Sequence, residues 1–282
     1  MNYTMNEKTE GTLYICATPI GNLEDITLRV LRVLREVDLI AAEDTRRTLQ
    51  LLNHYDIKTP LASYHEHNRS GRGPQLVSKL LLGTNVALVS DSGMPGISDP
   101  GWDLARLCRE AGVDVTICPG ASAGIAGLVL SGFDSRRYAF EGFLPREKRR
   151  RKEALAALAK ERRTMVMYEA PHRLLDTLRE LFENFGDREV AAVREITKKF
   201  EEARRGVLTE LIEHYEESPP RGEFVLVIEG VQEIEREWPE DLAEHVGIYI
   251  QAGLDEKDAM KRAAKDRGIS KSDVYSAYKI KK

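Results

Sequence analysis

The sequence predicts an α/β protein built in two successive parts, with a small helical tail. Three observations carry this. From Leu13 to Gly132 short apolar runs alternate with amphipathic segments, a β-α-β-α rhythm that makes a mostly parallel sheet flanked by helices. Composition shifts near Gly132, where a second set of apolar runs begins. An acidic stretch (Glu233, Glu235, Glu237, Glu240, Asp241) then sets off a basic C-terminal piece. The implied boundaries are a flexible start at 1–10, α/β domains at 11–132 and 133–232, and a linker with tail at 233–282.

In order, Leu13-Tyr-Ile-Cys-Ala17 reads as the first strand and Thr18-Pro-Ile-Gly-Asn22 as its exit loop. Leu28, Leu31 and Leu34 beside Val30, Val33 and Val37 give a broad helical apolar face over residues 27–37. Leu39–Ala42 is a second strand, running into Glu43-Asp-Thr-Arg-Arg47 and a helix to about His54. Residues 63–69 are polar, and a helix from about Pro74 to Leu82 leads to the strand Asn85–Ser90. That strand feeds the loop Asp91-Ser-Gly-Met-Pro-Gly-Ile-Ser-Asp-Pro-Gly101, followed by an amphipathic segment to Gly112. A further strand, Val113–Cys118, exits through Pro119-Gly-Ala-Ser-Ala123 into a helix where Gly124, Ala126 and Gly127 call for close backbone packing. If these strands are parallel, their exit loops share one edge and frame one site.

The loop at 91–101 says most about chemistry. Gly93, Gly96 and Gly101 remove side-chain bulk, and Pro95 and Pro100 stiffen the connector. It contains no Lys or Arg but two carboxylates, Asp91 and Asp99, and no phosphate-cradling glycine pattern occurs anywhere in the chain. Such a loop suits a ligand with positive charge and hydroxyl or amino donors, as in the sulfonium, ammonium and ribose diol of S-adenosylmethionine. Asp99-Pro100 also reads as a helix cap followed by proline at the first helical position, so Asp99 serves either the ligand or the helix. Asp91 has no capping role of that kind.

The second part opens with strand Tyr138–Phe143. Pro145–Lys152 carries six basic residues against Glu147, a run that no core is expected to hold; it is a solvated helix start or a surface for an anionic partner. Strand Thr164–Glu169, helix His172–Phe185, strand Glu189–Ile196 and strand Phe224–Glu229 follow. In that helix Leu174, Leu175, Leu178, Leu181, Phe182 and Phe185 repeat at core spacing. The tail reads as helix 255–267, a turn at Gly268-Ile-Ser270 with Ser270 as cap, and a helix from Lys271: a helix-turn-helix pattern. From Gly253 onward nine Lys/Arg face five Asp/Glu on a chain whose overall charge is −4.

Bulk properties fit an ordinary globular protein, with 42% hydrophobic and 31% charged residues. Cys16, Cys108 and Cys118 form no CxxC pair and are expected as reduced core thiols, which points to the cytoplasm. No run approaches a membrane span, and the first ten residues lack a signal-peptide core.

The motifs Ala17-Thr-Pro-Ile-Gly-Asn-Leu-Glu-Asp-Ile-Thr27, Ala42-Glu-Asp-Thr-Arg-Arg47, the 91–101 loop, Pro119-Gly-Ala-Ser-Ala123, Glu141-Gly-Phe-Leu-Pro145 and Tyr168-Glu-Ala-Pro-His-Arg173 span about Leu13 to Gly230 in order. In them the chain resembles the tetrapyrrole methylase (class III) family of S-adenosylmethionine-dependent methyltransferases. Within it, the chain resembles the branch that methylates the ribose 2′-hydroxyl of a cytidine in the decoding region of small-subunit ribosomal RNA.

The resemblance implies two α/β domains of the tetrapyrrole methylase type with the cofactor cleft between them, a homodimer, a C-terminal helix-turn-helix, and no metal. It carries cofactor contacts onto Pro19, onto Ser92, Gly93, Met94, Pro95, Gly96 and Ile97, and onto Ser122 and Ala123, with Leu144, Met167, Pro171 and Glu223 from the far wall; Asp91 joins them through its charge. The substrate is then ribosomal RNA or the assembled small subunit. A 2′-hydroxyl is a poor nucleophile near neutral pH, so a proton acceptor is wanted. Glu43, Asp44, His65 and Glu66 are candidates, each of which also suits a cap, a surface group or an RNA contact. Arg46 and Arg47 suit a phosphate or an intrahelical ion pair; Arg149, Arg150, Lys271, Lys279, Lys281 and Lys282 are further RNA candidates. Two alternatives stand beside this: C-methylation of a tetrapyrrole intermediate, and a non-catalytic cofactor-sensing RNA-binding protein.

Overall fold

The computed structural model describes residues 10–231 and 238–280, in two compact units divided between residues 231 and 232. The first unit holds two five-stranded sheets. In the first sheet the strands are β1 (Thr12–Cys16), β2 (Leu39–Ala42), β3 (Leu61–Ser63), β4 (Val86–Val89) and β5 (Asp114–Cys118), ordered β3-β2-β4-β1-β5 and all parallel. Every residue of β4 is buried, as a central strand covered on both faces requires. Its Val86 sits between Leu13 of β1 and Leu39 of β2.

Side-chain alternation divides this sheet's core. Cys16, Ile40, Ala42, Ala87 and Val89 face α1 (Leu28–Glu36) and α2 (Thr45–His54), through Val30, Leu34 and Leu52. Leu13, Ala41, Val86 and Leu88 face α3 (Arg69–Leu81) and α4 (Gly101–Glu110), through Leu76, Leu80, Leu104 and Cys108. From β1 the chain crosses to β2 on one side, and from β4 to β5 on the other. The carboxyl ends of the neighbouring strands β1 and β4 are therefore the switch point at which crevices form in such sheets.

The second sheet is ordered β6-β7-β10-β8-β9, with β6 (Tyr138–Phe143) parallel to β7 (Thr164–Glu169) and all other pairs antiparallel. The remaining strands are β8 (Glu189–Arg194), β9 (Glu202–Val207) and β10 (Phe224–Ile228). One face packs on α6 (Lys148–Leu158), α7 (Pro171–Phe185) and α8 (Leu208–Glu217) through Leu155, Leu174, Leu178, Leu181 and Leu211. The other takes α5 (Ala123–Ser131), which leaves the first sheet from β5 and lies on the second through Leu128, Val166 and Val225. This close approach is what Gly127 permits: a Cβ there would sit 2.7 Å from Val225 Cγ1.

The second unit has its own small core of Val246, Ala259, Ala263, Ala264 and Val274. It comprises α9 (Leu242–Gln251), α10 (Glu256–Arg267) and α11 (Lys271–Ile280). His245 is buried, stacked 3.9 Å from Trp238, and its Nδ1 accepts from Arg267 Nε at 3.0 Å. Gly268 turns the chain at φ 62°, and Ser270 Oγ accepts from the Asp273 N–H as a cap. Among the described residues no helix is long and apolar enough to cross a membrane.

The structure departs from the sequence reading at several elements. The edge strand β3 is three half-buried residues, too short for a period to register. Edge strand β9 and its successor α8 leave no apolar alternation in Glu-Ala-Arg-Arg-Gly-Val to announce them; the antiparallel ladder to β8 holds that edge, with an ion pair of 2.6 Å from Arg194 of β8 to Glu202 across it. Helix α3 begins at Arg69, five residues before the Pro74 taken as its start, and Pro74 lies inside it. Asp241, read as linker, caps α9 by accepting the Ala243 N–H at 2.8 Å. The residues 1–9 of the expected flexible start and Glu233, Glu235 and Glu237 of the linker lie outside the described residues.

The basic run at 145–152 also departs from expectation at one residue. Arg151 is buried, with Nε 2.5 Å from Glu180 Oε2 and Nη2 2.7 Å from Thr177 Oγ1. Thr177 donates to the buried Glu169 at 2.6 Å, so this arginine belongs to a polar network under β7. Its exposed neighbours Arg149 and Arg150 pair with Glu153 and Glu147.

Candidate functional site

The 91–101 loop and the β1 exit loop are joined at the switch point. Thr18 and Gly93 exchange backbone hydrogen bonds of 2.9 and 3.1 Å as an isolated antiparallel bridge. Gly93 has φ 77°, and a Cβ there would meet Ile20 Cγ2 at 3.1 Å and the Ala121 carbonyl at 3.3 Å. Glycine is required there for conformation and for space. Gly96 has φ 89°, so its need is conformational first.

Asp99 fixes the far end of the loop. Its Oδ1 accepts from the Gly96 N–H at 2.8 Å and from the Gly101 N–H, the first of α4, at 2.7 Å. Asp99 thus holds the start of α4 and also lines the cavity beside the loop, but the expected placement shifts by one residue: Pro100 is the cap residue of α4 and Gly101 its first helical residue. Burial holds its carboxyl above the ordinary range, opposed by those N–H donors and reinforced by Asp91. Asp91 has a structural role the sequence did not suggest: Oδ1 accepts the Asp44 N–H at 2.8 Å, and Oδ2 lies 3.7 Å from Arg47.

Two adjoining cavities occupy the cleft between the sheets. One, of about 380 Å³, is walled by the 91–99 loop, Ser122 and Ala123 on one side and by Phe143, Tyr168, Ile196 and Phe224 on the other. Its carboxylates are Glu43, Asp91, Asp99, Glu169, Glu195 and Glu223. The other, of about 630 Å³, lies between Thr18–Gly21, the residues Arg47, Thr48, Gln50, Leu51 and His54 of α2, and Glu195, Lys198, Gly222 and Glu223. Ile20, Arg47, Ser90, Asp91, Ser92, Glu195, Lys198 and Glu223 line both. The two walls are linked by the Asn22 N–H donating to Thr197 Oγ1 at 3.1 Å, and by the Gly124 N–H donating to the Tyr168 hydroxyl at 3.1 Å.

The fold brings many of the expected site residues together. Glu43, Asp91, Ser92, Gly93, Met94, Ile97, Ser122, Ala123 and Glu223 line the smaller cavity, Pro19 the larger, and Arg47 both. Pro95 and Gly96 shape the loop without lining either cavity. Leu144 and Met167 are instead buried under β6 and β7, and Pro171 is the first residue of α7. Strand alternation explains this: Met167 turns to the α6–α8 face, and its neighbour Tyr168 turns to the cavity.

Of the four proton-acceptor candidates Glu43 lines the smaller of these two cavities, and Asp44, His65 and Glu66 line neither. Burial raises its carboxyl, with Asp91 and Asp99 adding to the shift. Asp44 caps α2, accepting the Arg46 N–H at 2.9 Å, and pairs with the Arg46 side chain; the Arg46 hydrogen bonds hold its carboxyl below the ordinary range. The His65 N–H donates to Asn68 Oδ1 at 2.9 Å in the turn before α3, and Glu66 pairs with Arg69 at 3.0 Å. Lys271 is exposed on α11; the side chain of Lys279, and Lys281 and Lys282 entirely, lie outside the described residues.

Sequence reasoning missed Ser90, Phe143, Glu195 and Lys198. The segment read as strand through Ile196 ends at Arg194, and Glu195 and Thr197 turn with φ 50° and 67°. No glycine or asparagine marks that turn, so it left no local signal. All three cysteines are free and buried, as expected. Among the described residues no group of three or more His, Cys, Asp or Glu is arranged to hold a metal.

Comparison with known proteins bears on this cleft. A family model described as tetrapyrrole (corrin/porphyrin) methylases matches residues 12–212. The chain is 47% identical over 274 residues to the ribosomal RNA small subunit methyltransferase I of Halalkalibacterium halodurans, covering 95% of each chain. It is 47% identical over 285 residues to the protein of that name in Bacillus subtilis, covering 99% of this chain and 98% of that one. Among solved structures, uroporphyrin-III-C-methyltransferase from Thermus thermophilus superposes with TM-score 0.56 at 21% identity, over 78% of this chain and 94% of that one. Diphthine synthase superposes with TM-score 0.60 at 14% identity, over 78% and 89%. The last two share the fold alone. The family match across most of the chain, with relatives of this identity over nearly their whole length, shows that the chain belongs to the tetrapyrrole methylase family.

Proposed function

We propose that this chain transfers a methyl group from S-adenosylmethionine to the ribose 2′-hydroxyl of a cytidine in the decoding region of small-subunit ribosomal RNA. The observation that carries the reading is the 47% identity, spanning nearly the full length of both chains, with proteins named as ribosomal RNA small subunit methyltransferases. The uroporphyrin-III-C-methyltransferase of Thermus thermophilus is 21% identical and shares only the fold, which gives tetrapyrrole methylation no comparable support.

The smaller cavity has the right chemistry for the methyl donor. Ile20, Phe143, Ile196 and Phe224 offer apolar surface to an adenine, and the carboxylates suit a sulfonium, an ammonium and a ribose diol. Bound there, S-adenosylmethionine supplies a methyl group already activated by its positive sulfur. The chain's own task is then to orient an acceptor oxygen and take up its proton. Glu43 is our assignment for that acceptor: it lines the cavity, and a carboxyl raised by burial is a stronger base than an ordinary one. Asp91 positions it by holding the start of α2. No step requires a metal. The protein acts as a homodimer in the cytoplasm on ribosomal RNA or the assembled subunit, with the basic C-terminal unit as an additional RNA contact.

The test is ribose-methylation mapping of small-subunit ribosomal RNA from cells with and without this protein. Loss of one 2′-O-methylcytidine on deletion supports the reading; an unchanged map refutes it.

A further inference from the structure

The cleft presents an electrostatic problem. Six carboxylates line the smaller cavity, which suits a cationic methyl donor and repels an RNA phosphate. Among the described residues, Arg47 and Lys198 are the only Lys or Arg lining either cavity, and each lines both. Arg47 comes from α2 of the first sheet and Lys198 from the turn after β8 of the second. They therefore reach the junction of the two cavities from opposite walls.

The turn carrying Lys198 is built with care. Glu195 and Thr197 both adopt positive φ, an uncommon conformation for residues with side chains. The Lys198 N–H donates to the Glu195 carbonyl at 2.9 Å, and the Thr197 N–H to Glu201 Oε2 at 2.7 Å. The Asn22 N–H donating to Thr197 Oγ1 ties the turn across the cleft. A Cβ on Gly21 would sit 2.6 Å from Lys198 Cγ, so the lysine stem lies directly on that glycine's backbone. Strained backbone at a site edge is where functional constraint is to be sought.

We propose that Lys198 and Arg47 together grip one phosphate next to the target ribose and seat the acceptor nucleotide in the larger cavity. This rests on the methyl-transfer reading above and adds to it a binding residue, Lys198, and a location for the nucleotide. Both cations retain donor capacity. Lys198 Nζ bonds Glu195 Oε1 at 3.0 Å and an ammonium has three donors, whereas Arg47 has an ion pair with Asp91 at 3.7 Å. Their side chains are 38% and 66% exposed, so both pairs are weak enough to give way to phosphate.

The experiment uses small ribosomal subunits from cells lacking this protein as substrate, with the full chain as wild type, Lys198→Ala, Lys198→Arg, Arg47→Ala and the Lys198→Ala/Arg47→Ala double variant. Lys198→Ala should raise the half-saturating subunit concentration about 10-fold or more and reduce the log–log salt slope of subunit binding by roughly 0.7–0.9. Lys198→Arg should recover most of both. S-adenosylmethionine affinity should not fall, since removing a positive charge from the lining favours a cationic ligand, and the thermal midpoint should stay at the wild-type value. The double variant should lose less than the product of the two single losses, because the cations share one phosphate. Unchanged half-saturation and salt slope in Lys198→Ala would overturn the assignment. So would loss of cofactor affinity or a large fall in thermal midpoint, which would make the turn a structural strap, and strictly multiplicative losses would overturn the shared grip. Absence of methyl transfer by the wild-type protein would remove the underlying reading itself, a failure visible without any variant.

Discussion

Asp99 is the residue at which the structural and the electrostatic parts of this account separate. Its hydrogen bonds from Gly96 at 2.8 Å and from Gly101 at 2.7 Å both end on Oδ1. An asparagine amide oxygen can accept both, and an alanine can accept neither. Hydrogen bonds to a charged acceptor contribute about 1.5–3 kcal/mol each. After allowing for the relief of no longer burying a charge, Asp99→Ala should cost about 2–3 kcal/mol. Asp99→Asn should remain within about 1 kcal/mol of wild type. The sign with pH follows from the direction of the shift. A carboxyl held above its ordinary value of 3.8 in the folded protein makes ionisation costly to the fold. That cost is absent below 3.8 and grows as pH rises through the raised value, so any advantage of asparagine appears near neutrality and vanishes on acidification.

Ligand binding should divide differently. Asp99 is one of the cavity carboxylates, and at an effective dielectric near 20 removing one such charge weakens a cationic ligand by about 1–2 kcal/mol, roughly 5–30-fold. S-adenosylhomocysteine lacks the sulfonium charge. Asp99→Asn should therefore weaken S-adenosylmethionine more than S-adenosylhomocysteine, whereas Asp99→Ala should weaken both through disorder of the loop. Urea unfolding across pH and calorimetry with both ligands measure these effects. An asparagine variant that unfolds like the alanine variant, or loses both ligands equally, would refute the reasoning.

Other expectations follow from neighbouring features. Glu43→Gln should lower the maximal transfer rate at least 100-fold at saturating cofactor, with S-adenosylhomocysteine affinity near normal; in the wild type, the rate should rise with pH through a carboxyl value above 4.5, seen in a single-turnover pH profile, and a flat profile contradicts the base assignment. Arg151→Ala removes the partner of Glu180 and Thr177 beneath β7 and should cost about 3 kcal/mol, read from the urea midpoint; a loss under 1 kcal/mol would show the network to be dispensable. Arg46→Ala should leave subunit binding unchanged, since Arg46 pairs with Asp44 away from both cavities; a loss matching that of Arg47→Ala in filter binding would contradict the placement. Deleting residues after 237 should leave cofactor binding and melting of the remainder intact while raising the half-saturating subunit concentration; a large fall in melting temperature would make the tail a stabilising cap.

The parallel sheet and its exit loops were legible because each element is spelled locally. Val86–Val89 is uniformly apolar, and Gly93 and Gly96 mark positive φ in the only residue type that adopts it freely. The far wall was poorly legible for the converse reasons. Met167 and Tyr168 are adjacent in sequence, and only the pairing of β7 with β10 decides which of them faces the cleft. The Glu195–Lys198 turn forms through long-range ties such as Asn22 to Thr197, which no window of sequence contains. Arg151 looked like one more solvated charge because its partners Thr177 and Glu180 lie on another helix. Asp91 and Asp44 are likewise brought together by the parallel pairing of β2 with β4.

The most direct test of the central claim is transfer of labelled methyl from S-adenosylmethionine, by the purified chain, to small ribosomal subunits taken from cells that lack it. The account predicts stoichiometric label on one cytidine, recovered after nuclease digestion as 2′-O-methylcytidine, and none on subunits from cells that contain the protein. Label on a base carbon or nitrogen, or on a tetrapyrrole in place of the RNA, would contradict it.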